Sequence, residues 1–385
     1  MASEAGRPTG AVVRQRRIAV VANEMEGTAT GVGRYLRGLL SGIAELDRDW
    51  RWVLLFKGGR FEDPLWQDGR FEPVWCRDGG RAVTWEQFRL PRRLAKLGAD
   101  LMFSPAYSLP LASRVPGVVT VHDMSFEVLP EEFRWRERWR RRLLARLSCR
   151  KAARVLVDML PMRQQLSELY NVPDARIGVV PLAVDPIFVA HAPEEETPLA
   201  DLGVRPPYVL WVGTIFPRRR PRLVLETFAA VREEFPELQL VMVGANRLPH
   251  PDRLDQWIEE LGLDGAVLRP GWVEEDRLPT LYRRAELSVY LSTYEGYGLP
   301  PLESLACGTA ALVGPGLGLD TLWPDYPFRC ARLERAEVLP MMRRLLAEPD
   351  RTREVVAEAA DILAAVTWRS CADRFVEELE EVLRS

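Results

Sequence analysis

Two glutamates, Glu295 and Glu303, bracket a glycine-bearing turn in the stretch Thr293–Thr309, TYEGYGLPPLESLACGT. An apolar run, Leu287-Ser-Val-Tyr-Leu291, precedes it and reads as a buried parallel strand. Gly296 and Gly298 let the backbone turn sharply and come close to a ligand. Pro300 and Pro301 suit the first turn of a helix, and Gly308 suits the position just past its end. A glycine loop running from a strand into a helix N-terminus presents unpaired N–H groups and a positive dipole end, so it can hold an anion. Carboxylates beside an anion site need another task, and the hydroxyls of a sugar or ribose supply one. The combination points to a nucleotide-sugar.

Other residues stand at comparable points. Arg17–Ala22 is an apolar strand followed by a polar loop and a helical pattern, with Gly31 and Gly33 at the turn in the word GVGRY. His122 follows the apolar run Val118–Val121, where ligands of parallel sheets bind, beyond the carboxyl ends of strands. Gly213 and Gly244 close two further apolar runs, Tyr208–Gly213 and Leu238–Gly244.

The elements that must position these groups alternate between strand and helix: Trp52–Phe56, a helix around Trp85–Leu97, Leu101–Phe103, Val118–Val121 and Val155–Val157 in the first half. Such alternation signals α/β domains with parallel sheets. The stretch His191–Pro207 is acidic, proline-rich and aperiodic, which divides the chain into an N-terminal domain of residues 1–190 and a C-terminal domain beginning at 191. Strand patterns at Ala266–Pro270 and Ala310–Val313 belong to the second domain, and Val355–Leu383 reads as helix. At 385 residues with 47% apolar content the chain can bury two sizeable cores. A formal net charge of −3 gives no reason to expect nucleic acid. No apolar run is long enough for a membrane span, and the N-terminal stretch ahead of Arg17 reads as a loose tail without a signal-peptide core. The five cysteines lack C-x-x-C spacing, which suits reduced thiols and a cytoplasmic protein without structural zinc.

The block EGYGLPPLE followed by ACGT resembles the retaining glycosyltransferases of family four, whose E-x7-E pattern falls on Glu295 and Glu303. GVGRY, VTVHDMSF and VGTIFPRRR are similar to the family's words at the same points of the chain. The resemblance implies the GT-B architecture, two Rossmann-like parallel-sheet domains facing across a cleft, with the donor mostly on the second and the acceptor mostly on the first. It implies that Thr367-Trp368 opens a last helix, residues 369–385, that returns to the first domain and leaves 191–368 to the second.

Arg218 and Arg219 would hold the donor diphosphate, where charge develops as the glycosidic bond breaks. Gly296, Tyr297, Gly298 and Leu299 would add loop N–H donors, and Gly31, Gly33, Gly213 and Gly244 would let backbone approach the donor. Glu295 would hold the sugar hydroxyls, Glu303 the ribose, and His122 would face the sugar and its phosphate. The nucleobase would lie against the turn at Trp272 and Val273, with Trp272 either stacked on it or packed on the helix that follows. The implied reaction retains anomeric configuration and uses no metal or other cofactor. Three departures from the family pattern stand out: Asp158 where a serine is expected, Arg219 for a lysine, and Leu322-Trp-Pro-Asp325 for an L-P-E phrase.

Residues 132–154 mix many arginines with Trp135, Trp139, Leu143, Leu144 and Leu147 at helical spacing. They read either as a peripheral contact with an anionic inner membrane surface or as a packed helix with a solvated basic face. Asp47-Arg-Asp49 is a metal-motif look-alike between a helix and a strand. Expected partners are a nucleotide-sugar donor and a glycan, lipid-linked or small-molecule acceptor. Two rival readings keep the fold: a catalytically inactive binding module, and a nucleotide-sugar epimerase.

Overall fold

The apolar runs become strands because parallel strands are covered on both faces and must be hydrophobic throughout. The structure, a computed structural model, describes residues 15–27, 31–77, 80–189 and 199–384. The N-terminal tail up to residue 14 and the linker residues 191–198 lie outside the described residues. Strands β1 (Arg17–Val21), β2 (Arg51–Phe56), β3 (Phe71–Trp75), β4 (Leu101–Ser104), β5 (Gly117–Val121), β6 (Arg154–Val157) and β7 (Ile177–Val179) form one sheet in the order β3-β2-β1-β4-β5-β6-β7. Strands β8 (Tyr208–Val212), β9 (Gln239–Val243), β10 (Val267–Gly271), β11 (Leu287–Tyr290) and β12 (Ala311–Val313) form a second, in the order β10-β9-β8-β11-β12. Neighbouring strands within each sheet run parallel.

Strand order reverses between β1 and β4 in the first sheet and between β8 and β11 in the second. At such a reversal the loops leave on opposite sides and open a crevice beyond the strand ends. The loops after β8 and β11 carry Arg218, Arg219 and Glu295, so the topology itself brings these charges together.

Strand β3 has no counterpart in the sequence reading. Glu72 and Pro73 break its apolar pattern, and Pro73 is tolerated because β3 is an edge strand. The C-terminal segment read as one helix is divided: Pro349–Ala364 and Trp368–Arg384 are separate helices. Thr367 and Ser370 exchange side-chain bonds with each other's backbone N–H at 3.0 and 3.1 Å, a reciprocal cap that starts the last helix afresh. That helix docks on the first sheet's side, with the Trp368 ring in a groove where Gly38 of helix Gly31–Ala44 supplies no side chain. Phe375 is fully buried there, its ring 4.6 Å from that of Phe103.

Candidate functional site

Arg219 is anchored by the loop that follows β8, and Glu295 by the loop that follows β11. Arg219 Nε donates to Glu295 Oε1 at 2.7 Å, and its terminal nitrogen donates to the Tyr290 hydroxyl at 2.7 Å. Arg218 Nε lies 3.8 Å from the same carboxylate. Burial alone would push the Glu295 carboxyl up, but Arg219 and then Arg218 outweigh it and hold it below the ordinary carboxylate range. The helix Leu299–Ala306 begins behind this group with no side-chain cap, and Gly298 takes the left-handed conformation at φ 82° just ahead of it. Uncapped N–H groups and two guanidinium groups therefore converge on one partly buried corner of the second sheet.

The first sheet contributes His122 at the end of β5, with both ring nitrogens engaged. Nε2 lies 2.8 Å from the Pro105 carbonyl, which can only accept, and Nδ1 lies 2.9 Å from Asp158 Oδ2. Nε2–H therefore donates to that carbonyl, and Nδ1 shares a hydrogen bond with the Asp158 carboxyl group. Burial pulls its pKa down, yet the Asp158 carboxylate and the Pro105 carbonyl more than offset that, and the net shift is upward. Asp158, the departure from the family pattern, is thus the hydrogen-bond partner of His122 Nδ1, and burial raises its own pKa. The ring of His122 holds Pro105 instead of standing open toward a donor, and its carbonyl lies under Gly296. A Cβ added at Gly296 would lie 1.7 Å from His122 O. The loop glycine is needed for close approach of the two halves of the chain, a different use from the approach to a ligand expected of it. Tyr294 reinforces the same seam, donating to Gln165 at 2.7 Å and accepting from the Met124 N–H at 2.8 Å.

A cavity of about 210 Å³ opens beside this corner, lined by Gly213, Thr214, Gly244, Trp272, Val273 and Arg34. Trp272 is 60% exposed, so it faces the cavity and solvent, leaving its ring free for stacking instead of packing on the helix that follows. Glu303 is 2% exposed and accepts from Arg34 at 2.9 Å and from the Tyr282 hydroxyl at 3.1 Å. Burial raises its pKa, and Arg34 offsets only part of that. The Tyr297 side chain, 4% exposed, lines a different cavity with Asp158 and Gly178, which leaves its backbone N–H as the group expected of it on the loop. Gly31 stands exposed at the start of its helix and Gly33 is buried within it, whereas Arg34, the residue that follows Gly33, reaches the cavity.

Three groups of this corner carry little signal in the sequence. Arg34 sits in the quoted word GVGRY, and a cation beside a G-x-G turn was the available signal. Asp158 was noted only as a departure. Glu132 gave no signal beyond its charge, yet one of its oxygens accepts from the Arg218 backbone N–H at 2.8 Å and the other from the Arg218 guanidinium at 2.5 Å. A carboxylate of the first half of the chain therefore occupies the donors expected to hold a phosphate. Glu132→Ala is expected to tighten nucleoside-diphosphate binding by roughly tenfold, since a charge-assisted bond contributes about 1.5–3 kcal/mol and the competitor is removed. Isothermal calorimetry with UDP and GDP checks this; equal affinities in both proteins would take Arg218 out of the anion site.

The helix Trp135–Lys151 buries only small residues, Ala145, Ser148 and Cys149, while Trp135, Trp139 and Leu143 stand 67%, 60% and 58% exposed. Its large apolar stripe does not face the core, which overturns the reading of a helix packed by that stripe. No cluster of three or more metal-ligating side chains occurs among the described residues, Asp47 and Asp49 included. No helix among the described residues is long and apolar enough to cross a membrane.

Comparison with known proteins adds to this geometry. Residues 29–188 match the family model described as Glycosyltransferase Family 4, and residues 198–322 match that described as Glycosyl transferases group 1. The chain is 26% identical over 364 residues to O-antigen chain mannosyltransferase B of Escherichia coli, covering 89% of each. It is 29% identical over 243 residues to D-inositol 3-phosphate glycosyltransferase of Nocardia farcinica, covering 60% of this chain and 53% of that one, about half of that relative's length. Among solved structures, HepE of Anabaena in complex with UDP-glucose superposes with a TM-score of 0.71 at 17% identity, over 95% of this chain and 99% of that one. At that identity the likeness speaks for the fold.

Proposed function

The chain belongs to the group 1 glycosyltransferases of GT-B architecture, enzymes that use nucleotide-sugar donors, and we propose that it transfers a hexosyl group with retention of anomeric configuration. The observation that carries this reading is the partly buried group Arg218, Arg219 and Glu295 at the strand-order reversal of the second sheet, with His122 across the seam. The bond between the anomeric carbon and the phosphate oxygen breaks, and its electron pair stays on the phosphate. The acceptor oxygen bonds to the anomeric carbon on the same face, and the acceptor proton passes to the released phosphate oxygen. Arg218 and Arg219 stabilise the charge that grows on the diphosphate, the role that a metal ion fills elsewhere, so the reading includes no metal. Glu295 orients the sugar hydroxyls, Glu303 with Arg34 lies toward the ribose, and Trp272 offers its face to the base. The similarity to a protein named as a mannosyltransferase supports a hexosyl donor.

The test is a panel of UDP- and GDP-linked hexoses, each assayed for transfer, hydrolysis and epimerisation. Release of nucleoside diphosphate is expected, and Glu295→Gln is expected to lower kcat by about tenfold or more with little change in nucleoside-diphosphate affinity, because its contacts strengthen as the bond breaks. Tight binding without turnover of any donor would favour the inactive binding module, and conversion of the free nucleotide-sugar would favour the epimerase.

The exposed Trp135, Trp139 and Leu143, set among arginines, support an acceptor presented at an anionic membrane surface. Co-sedimentation with vesicles containing anionic phospholipid is expected, and replacement of both tryptophans by serine is expected to reduce the bound fraction severalfold. Equal sedimentation of the variant and the parent chain would remove the membrane from the reading.

A further inference from the structure

A second cavity, about 380 Å³, lies between the loops that leave β8 and β9. It is separate from the cavity beside Trp272, although the two share these loops: Gly213, Thr214, Gly244 and Ala245 line the one, while Arg220, Leu248 and His250 line the other. The loops are tied to each other. Ile215 N–H donates to the Ala245 carbonyl at 2.9 Å, and Arg247 N–H returns a bond to Ile215 at 3.0 Å. The Asn246 side chain then donates to the Pro251 carbonyl at 3.0 Å, which fixes the turn that carries His250.

The lining has a marked sign. Arg220, Arg222, Arg253 and His250 face a single carboxylate, Glu226, and that carboxylate is already paired with Arg222 at 2.8 Å. Arg220 and Arg253 are exposed and have no carboxylate partner among the described residues. The Trp257 indole forms one wall, with the Arg222 guanidinium 5.7 Å from its ring centroid. Trp257 Nε1 is buried and has no acceptor. The cavity is therefore rich in donors and poor in acceptors, with an indole face and Leu248 as its apolar part. A phosphate dianion matches two free guanidinium groups, and a flat or apolar body matches the indole. The volume falls within the range of small-molecule sites.

We propose that this cavity is a second binding site, taking a phosphate monoester carried on a planar or apolar group. It does not depend on the donor reading: its arginines follow or lie apart from Arg218 and Arg219, and none of them touches Glu295. Its position behind the diphosphate loop makes it a place from which a phosphorylated small molecule can reach the loop that carries Arg218.

Phenyl phosphate is the probe, titrated into the whole chain by calorimetry. Saturable binding is expected, and Arg220→Ala with Arg253→Ala is expected to weaken it by about tenfold or more, the size of losing charge-assisted bonds. Trp257→Leu is expected to weaken it as well, and the melting temperature of each variant is the control for folding. The Arg218→Ala, Arg219→Ala protein is expected to bind phenyl phosphate as the parent does. Absence of saturable binding to the parent chain overturns the proposal. So does binding that survives the loss of Arg220 and Arg253, or that disappears only with Arg218 and Arg219, since the probe would then occupy the donor corner.

Discussion

Replacement of both Arg218 and Arg219 by alanine is expected to weaken nucleoside-diphosphate binding by roughly a hundredfold or more. Each charge-assisted bond contributes about 1.5–3 kcal/mol, and every 1.4 kcal/mol is about tenfold in affinity. The full sum is not expected, because both guanidinium groups already hold carboxylates: Arg218 holds Glu132 and Arg219 holds Glu295. The diphosphate gains only the difference between its own contacts and these. Loss of Arg219 also leaves the partly buried Glu295 without its closest cation, with Arg218 removed as well, and breaking such a pair costs stability, up to about 3–5 kcal/mol where the pair is fully buried. The double variant should therefore melt earlier as well as bind more weakly. Arg219→Lys separates the two effects. It keeps the charge but gives up the forked contact to both Glu295 and Tyr290, so affinity should return to within about tenfold while the stability loss is only partly recovered. Calorimetry with UDP and GDP alongside thermal unfolding reads both quantities. Unchanged affinity in the double variant would mean that the diphosphate binds elsewhere.

The same pairings show which parts of the site were legible in the sequence. Strand β11, its loop and the helix Leu299–Ala306 were readable because a buried parallel strand is apolar throughout, and glycine and proline mark the turn and the helix start. The convergence of Arg218, Arg219 and Glu295 was readable once the loops were placed at strand ends. The partners Glu132 and Arg34 were not, because each reaches its site from the other half of the chain, over a sequence separation that no local pattern spans. Asp158 could be noticed only as an odd residue; that it faces His122 depends on β5 and β6 lying side by side, Val121 opposite Val157. The stripe Trp135, Trp139 and Leu143 was visible at helical spacing, but spacing does not say which face packs. Ala145, Ser148 and Cys149, the buried residues of that helix, show that a different face packs.

Gly296→Ala is expected to lower kcat/KM by about a hundredfold or more, with nucleoside-diphosphate affinity changed by less than about fivefold. Gly296 does not lie in the left-handed region, so alanine is tolerated by its own backbone. The obstacle is across the seam. The new Cβ would lie 1.7 Å from His122 O and 2.8 Å from His122 C, both backbone atoms at the end of a strand buried in the first sheet. No side chain can rotate away to make room, so the β11 loop and the end of β5 must separate. Separation moves Glu295 away from His122 and from any acceptor held on the first sheet. A shift of about 1 Å in such an alignment costs roughly a hundredfold in rate. The cavity lined by Gly213, Gly244 and Trp272 belongs mainly to the second sheet and is left intact, which is why binding and turnover should part company. Steady-state kinetics with the donor found in the panel, together with calorimetry on the same preparation, reads the two. Equal loss of binding and turnover would point to collapse of the loop itself. Full turnover in Gly296→Ala would mean that the two halves react in an arrangement other than the one in which His122 and Gly296 touch.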